Sequence, residues 1–140
     1  MKAYADSSVM AALYVQESMS AHGHLLVRNR LPLPFTPWHR LEVRNAIRKA
    51  ALPAEAIAAL RLLEQDVSEE MVVAHKPIDW TNCLRIAEQL SRDHNPKIGA
   101  SSPDLFHVAC ALEMGFVEFF SFDRRQKNLA KAAGLKVKGL

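Results

Sequence analysis

The chain has 140 residues, 49% hydrophobic and 24% charged, the proportions of a soluble globular protein long enough to bury a core. No stretch approaches the ~18 uninterrupted apolar residues of a membrane span, and Asp6 breaks the apolar start MKAYADSSVMAALYV, so a single cytoplasmic domain over residues 1–140 is expected. The net charge is +3, from 18 Lys and Arg against 15 Asp and Glu, a basic excess that suits a polyanionic substrate without requiring one.

In chain order, Lys2 to Ala5 reads as a short strand, and Ser7 or Ser8 suits the cap of a helix carrying Val9, Met10, Leu13 and Tyr14. A second helix, around Ser20 to Arg30, stops before Leu31-Pro32-Leu33-Pro34. Leu33 to Thr36 suits an edge-like strand, because its proline cannot donate a ladder bond. Thr36 as cap and Pro37 in the first turn open a helix through Trp38, Leu41, Ala46 and Ile47 to about Ala50. Pro53 starts another, to about Val67, and Met71 to His75 is β-rich. Asp79 to about Asp93 is helical, with Cys83, Ile86, Ala87 and Leu90 on one face. His94 to Ala100 is expected to be a polar loop, leading to a helix start at Ser102-Pro103-Asp104 of the same cap-then-proline type. Val117 to Phe122 is the best strand. The helix Arg124 to Ala133 ends at Gly134, and Leu135 to Val137 is a last short strand. Strands alternating with helices predict βαβ units and an α/β class with a parallel sheet. Cys83 and Cys110 lack C-x-x-C spacing and read as buried free thiols.

Four acids stand out against this frame. Asp6 and Asp123 each close an apolar run and precede a helix, Asp104 lies in the first turn of another, and Glu42 one turn into a fourth. In an open parallel sheet, functional groups gather outside the carboxyl ends of the strands, and helices that lead into strands begin at that same edge. All four acids are therefore expected there, where mutual repulsion calls for a cation. Oxygen ligands without patterned Cys or His favour Mg²⁺ or Mn²⁺, which suits phosphodiester hydrolysis. A spare carboxylate is then available to orient or deprotonate the attacking water. Each acid also has a plainer reading: Asp6 and Asp123 as helix caps, Asp104 beside a helix dipole, and Glu42 paired with Arg40, Arg44 or Lys49. Without the four acids the chain holds 18 basic and 11 acidic residues (15 less these 4), a basic surface around an acidic pocket.

Four motifs, in order, carry a resemblance: Y-A-D-S-S-V near the start, L-E-V-R-N-A at Leu41 to Ala46, P-D-L-F-H-V-A-C-A-L at Pro103 to Leu112, and F-F-S-F-D-R-R-Q-K-N-L-A-K-A-A-G-L at Phe119 to Leu135. Over nearly its whole length the chain resembles the PIN-domain ribonucleases, above all the VapC-like toxins of toxin–antitoxin pairs. The resemblance implies a compact PIN-like fold, a roughly five-stranded parallel sheet with helices on both faces. It implies a catalytic quartet at Asp6, Glu42, Asp104 and Asp123, with Asp6, Asp104 and Asp123 as metal ligands and Ser7, Asn45 and Ser121 in support. It further implies a Mg²⁺- or Mn²⁺-dependent endoribonuclease with an RNA substrate, a small antitoxin partner and a homodimer. Close relatives often carry a basic residue shortly before the third acid. This chain has Ala100-Ser101-Ser102-Pro103 instead, which leaves phosphate contact to Arg124, Arg125 or Lys127.

Other residues suggest less. His107 shares a helix with Asp104 and suits a polar-tipped core position as well as the pocket, and His22 and His24 point apart on a helix. Arg40, Arg44 and Arg48 form a basic stripe, open to both a solvated face and a contact with RNA or antitoxin. Trp38 reads as a packing or interface aromatic. A receiver domain, the other acid-clustering α/β module of this size, needs a phosphorylatable Asp after a central strand, and Met71 to His75 supplies none. A PIN-like module that binds RNA or protein without cleaving it is the alternative.

Overall fold

The structure, a computed structural model, describes residues 3–139, which form two compact units. The first is Ala5–Lys76; the second joins Ala3 and Tyr4 to the segment from Pro77 onward. The Ala3–Ala5 strand, β1, is shared by the chain of both and is buried throughout.

The first unit continues with α1 (Ser7–Ala12), α2 (Ser20–Val27), β2 (Leu33–Phe35), α3 (Pro37–Ala50), α4 (Pro53–Glu69) and β3 (Val73–His75). Strand β2 runs parallel to β3 with Leu33 opposite Val73 and Phe35 opposite His75. Leu33 N–H donates to Val72 and the Phe35 carbonyl accepts from Lys76, which leaves the donor-less Pro34 facing away from β3. On α3, His39, Val43 and Ile47 recur every fourth residue and are buried, the stripe expected of a helix with one face in the core. Val9 and Met10 of α1 and Leu63 of α4 are fully buried beside them in this unit's core. Thr36 and Pro37 start α3 as the sequence predicts. The cap of α1 is Asp6, however, and neither Ser7 nor Ser8: Asp6 keeps an extended backbone and its carboxylate accepts from the Val9 N–H, while Ser7 is already helical. Helix α2 ends at Val27, short of Arg30.

The second unit adds α5 (Trp80–Ile98), α6 (Ser102–Glu113), β4 (Glu118–Phe120), α7 (Arg124–Ala132) and β5 (Lys136–Lys138). Its three-stranded sheet has the order β1-β4-β5, with β4 and β5 parallel and Glu118 opposite Lys136. Among the described residues, the five strands marked by the sequence thus divide between a sheet of three and a sheet of two. Helix α6 is the core element, buried from Leu105 to Ala111. Tyr4 is fully buried, stacks on Phe119 at 5.5 Å and meets the His107 ring edge-on. Trp80, 40% exposed at the start of α5, stacks on Phe106 of α6 at 5.7 Å.

The polar loop expected over His94 to Ala100 is instead helical through Ile98, as the last turn of α5, and only Gly99 and Ala100 lie outside it. Pro96 lies inside that turn, where the donor it lacks costs a single intrahelical bond. The helix stops at Gly99, which adopts the left-handed conformation that glycine tolerates, and Asn95 bonds both the N–H and the carbonyl of Ala100. Helix α6 is capped by Ser101, one residue before the expected start, with Pro103 in its first turn.

Candidate functional site

In the first unit the end of β1 delivers Asp6 to the start of α1. Asp6 is 3% exposed, and its Oδ1 accepts both the Val9 N–H at 3.0 Å and the Ser8 hydroxyl at 2.7 Å. Glu42, half-buried one turn inside α3, accepts the Ser7 hydroxyl at 2.8 Å through Oε1. Consecutive serines after Asp6 thus bind the two acids of this unit, one each. Arg40 and Arg44 are turned to Glu64 of α4, at 2.8 and 2.6 Å, which accounts for two members of the basic stripe as packing between α3 and α4. Asn45 is exposed on α3.

In the second unit Asp104 is half-buried in the first turn of α6, its N–H donated to the Ser101 cap at 3.3 Å. Asp123 is exposed and caps α7, accepting the Gln126 N–H at 2.7 Å. Ser121 is fully buried; its hydroxyl accepts from the Asp123 N–H at 3.0 Å and donates to Gln126 Oε1 at 3.2 Å. Gln126, itself 1% exposed, donates through Nε2 to the Asp104 carbonyl at 3.3 Å. One glutamine therefore spans the backbone of one acid and the cap of the other. His107 is a core residue, 3% exposed, with Nδ1 2.6 Å from the Tyr4 hydroxyl.

Two residues that sequence reasoning missed organise these acids. His39 is fully buried; its Nδ1 accepts from the Thr36 N–H at 3.1 Å, so the ring proton sits on Nε2, which donates to the Ala5 carbonyl at 2.9 Å. It locks the residue just before Asp6 onto the start of α3. Its signal is the Thr36-x-x-His39 spacing, a capping box with histidine in the usual Glu or Gln position. Gln126 has the ordinary form of that signal, three residues after the Asp123 cap.

Both acid pairs offer hard oxygen donors, the set that suits Mg²⁺ or Mn²⁺ and not zinc. Cys83 and Cys110 are buried and face each other, Sγ to Sγ, at 3.1 Å. Hydrogen bonding with Cys83, then burial, pushes the Cys110 thiol far up. Among the described residues, no three His, Cys, Asp or Glu side chains group as they would around an ion. Mg²⁺ does not need such a cage, since it keeps several waters and is held by one or two carboxylates with substrate phosphate. The donors present therefore fit the ion through carboxylate, water and phosphate together.

No protein-family profile matches the chain, and no curated protein matches it in sequence. Solved structures do match its fold. Mycobacterium tuberculosis VapC20, a Sarcin-Ricin loop cleaving toxin, aligns with a TM-score of 0.70 at 17% identity, covering 99% of this chain and 100% of that one. FitAcB from Neisseria gonorrhoeae aligns at 0.69 and 12% identity, over 98% of this chain and 96% of that one. VapBC2 from Rickettsia felis, solved with a DNA fragment from its promoter, aligns at 0.65 and 10% identity, over 99% and 98%. The chain has the PIN-like α/β fold of these proteins.

Proposed function

We propose that the chain is a Mg²⁺- or Mn²⁺-dependent endoribonuclease acting in the cytoplasm as the toxin of a toxin–antitoxin pair. The observation that carries the reading is that a chain with the fold of an RNA-cleaving toxin keeps an oxygen-donor acid pair in each unit, Asp6 with Glu42 and Asp104 with Asp123. Asp6 of the first unit and Asp104 and Asp123 of the second are the acids we assign to metal, each binding directly or through the ion's waters. The bound ion supplies charge neutralisation at phosphate and a water of lowered pKa. Glu42, outside the ligand set, takes the proton of the attacking water as its oxygen joins phosphorus. The bond from phosphorus to the leaving ribose oxygen breaks, and that oxygen collects a proton. Ser7 steadies Glu42, Ser121 fixes the Asp123 backbone, and Asn45 supports from the exposed side of α3. Arg124, Arg125 and Lys127 offer phosphate contacts in place of the basic residue missing before Asp104.

An antitoxin and a second copy of the chain are the protein partners of this reading. In the first unit an apolar hollow of about 400 Å³, lined by Leu13, Leu25, Leu31 and Leu62, supports a protein partner, since those last three leucines are 40–59% exposed.

The test is cleavage of cellular RNA by the purified protein with Mg²⁺. Asp6→Asn and Asp104→Asn are expected to lose at least a hundredfold in rate while keeping the wild-type circular dichroism, and EDTA is expected to abolish cleavage without unfolding the chain. Equal rates in wild type and variants would remove the metal assignment. RNA binding with no cleavage under any metal would leave a PIN-like module that binds without cutting.

A further inference from the structure

We infer that the face of α7 behind Asp123, together with the end of β5, is a groove that holds the RNA strand away from the scissile bond. This rests on the nuclease reading above. A cavity of about 500 Å³ in the second unit is lined by Arg124, Lys127, Asn128 and Lys131 of α7 and by Val137, Lys138 and Gly139. Four of these seven residues are cationic and none is acidic. Positions 124, 127, 128 and 131 recur at three- and four-residue intervals, so they share one face of the helix. Arg125, on the same helix, does not line the cavity. The surface charge here is thus gathered, not spread.

Like charges held in a concave wall raise the local potential and draw in a polyanion. Arg124 and Lys131 lie seven residues apart, about 10 Å along the helix. That exceeds the backbone repeat of a nucleic-acid strand, ~3.4 Å when stacked in a duplex and about twice that when extended, so the groove takes more than one phosphate. Lys138 is steadied by Glu118 at 3.5 Å. The far wall is fixed to the candidate acids: Ser121 N–H donates to the Lys138 carbonyl, and Gly139 packs so closely on the Ser121 carbonyl that a Cβ there would collide with it. Ser121 also holds the Asp123 backbone, so groove and acid share one support. An acidic protein segment would meet the same charge, but single-stranded RNA presents regularly spaced phosphates to a row of cations and is the occupant we assign.

The full chain, in EDTA, is titrated with a fluorescent single-stranded RNA over a range of salt. Lys127→Gln/Lys131→Gln is expected to lower the slope of log affinity against log salt by ~1.4 and Lys138→Gln by ~0.7, since each phosphate contact on a single strand contributes about 0.7. Arg92→Gln removes the same charge from the exposed side of α5, off the groove, and is expected to keep affinity within twofold. Unchanged slopes in the groove variants, or an equal loss in Arg92→Gln, would overturn the assignment. So would groove variants that lose a polyglutamate peptide while keeping RNA, because the face would then belong to a protein. Cleavage with Mg²⁺ is measured in parallel. Wild type that binds through the groove yet never cuts would end the nuclease reading and leave the groove, and cutting with indifferent groove variants would do the reverse.

Discussion

Asp6 and Asp123 each do two jobs that a single substitution can separate. Both cap a helix through one carboxylate oxygen, and both are proposed to hold metal with their charge. Asparagine caps about as well as aspartate but carries no charge, whereas alanine does neither. Asp6→Asn and Asp123→Asn are therefore expected to leave thermal stability nearly unchanged while cleavage falls. Asp6→Ala and Asp123→Ala are expected to lose ~1 kcal/mol of stability as well. Chemical denaturation alongside RNA cleavage checks both; loss of stability in the Asn variants equal to that in Ala would show that charge, not capping, holds the helix starts. The acids are legible in the sequence because their neighbours announce strand ends and helix starts. His39 and Gln126 are not, because their decisive partners, the Ala5 and Asp104 carbonyls, lie 34 and 22 residues away. Local spacing marks each as a cap partner and says nothing of what its far nitrogen reaches.

Among the elements, α5 and α6 show where local signals mislead. Polar residues and a proline make His94 to Ala100 look like a loop, yet the helix runs on to Ile98 because Pro96 sits in the final turn and Asn95 clips the exit. The packing of α5 on α6 also brings Cys83 and Cys110 together, which their separation of 27 residues does not reveal. Both thiols are fully buried, and the raised pKa of Cys110 keeps it from the reactive thiolate. The folded protein is therefore expected to resist a thiol-specific reagent at neutral pH and to take up two equivalents once unfolded. Fast labelling of native protein would mean that α5 and α6 separate readily. The strands are legible as apolar runs, but their division into two sheets is not, since three-residue strands carry too little pattern to fix a partner.

For the molecule as a whole, the alkaline limb of stability carries a signature. Burial first, then the hydrogen bond and charge of Asp66, push the Tyr14 hydroxyl well above its ordinary 10.0, and Cys110 lies well above 9.0. Both groups stay protonated in the folded chain and release protons more easily when it unfolds. The stability they supply is thus fully present below about pH 9 and falls as the pH rises beyond 9 to 10, by up to ~1.4 kcal/mol per pH unit for each group. Tyr14→Phe is expected to flatten that fall, read as the denaturant midpoint against pH, at the cost of its bond to Asp66. An equal slope in the variant would remove Tyr14 from the account. At this scale the alternation of strand and helix made the α/β class legible, and no described helix is long and apolar enough to cross a membrane. The pairing of a phenol with an acid 52 residues away was beyond it.

The Trp80 ring lies nearly parallel to Phe106, two residues beyond Asp104, with 40% of its surface still in water. Indole emission depends on how its ring is stacked and wetted, so this residue is an optical gauge built beside one of the proposed ligands. The chain has only one other tryptophan, Trp38, and Trp38→Phe would leave a single emitter. Its colour and intensity would then follow any shift of the first turn of α6 in real time, without a label and before a single phosphodiester bond is cut.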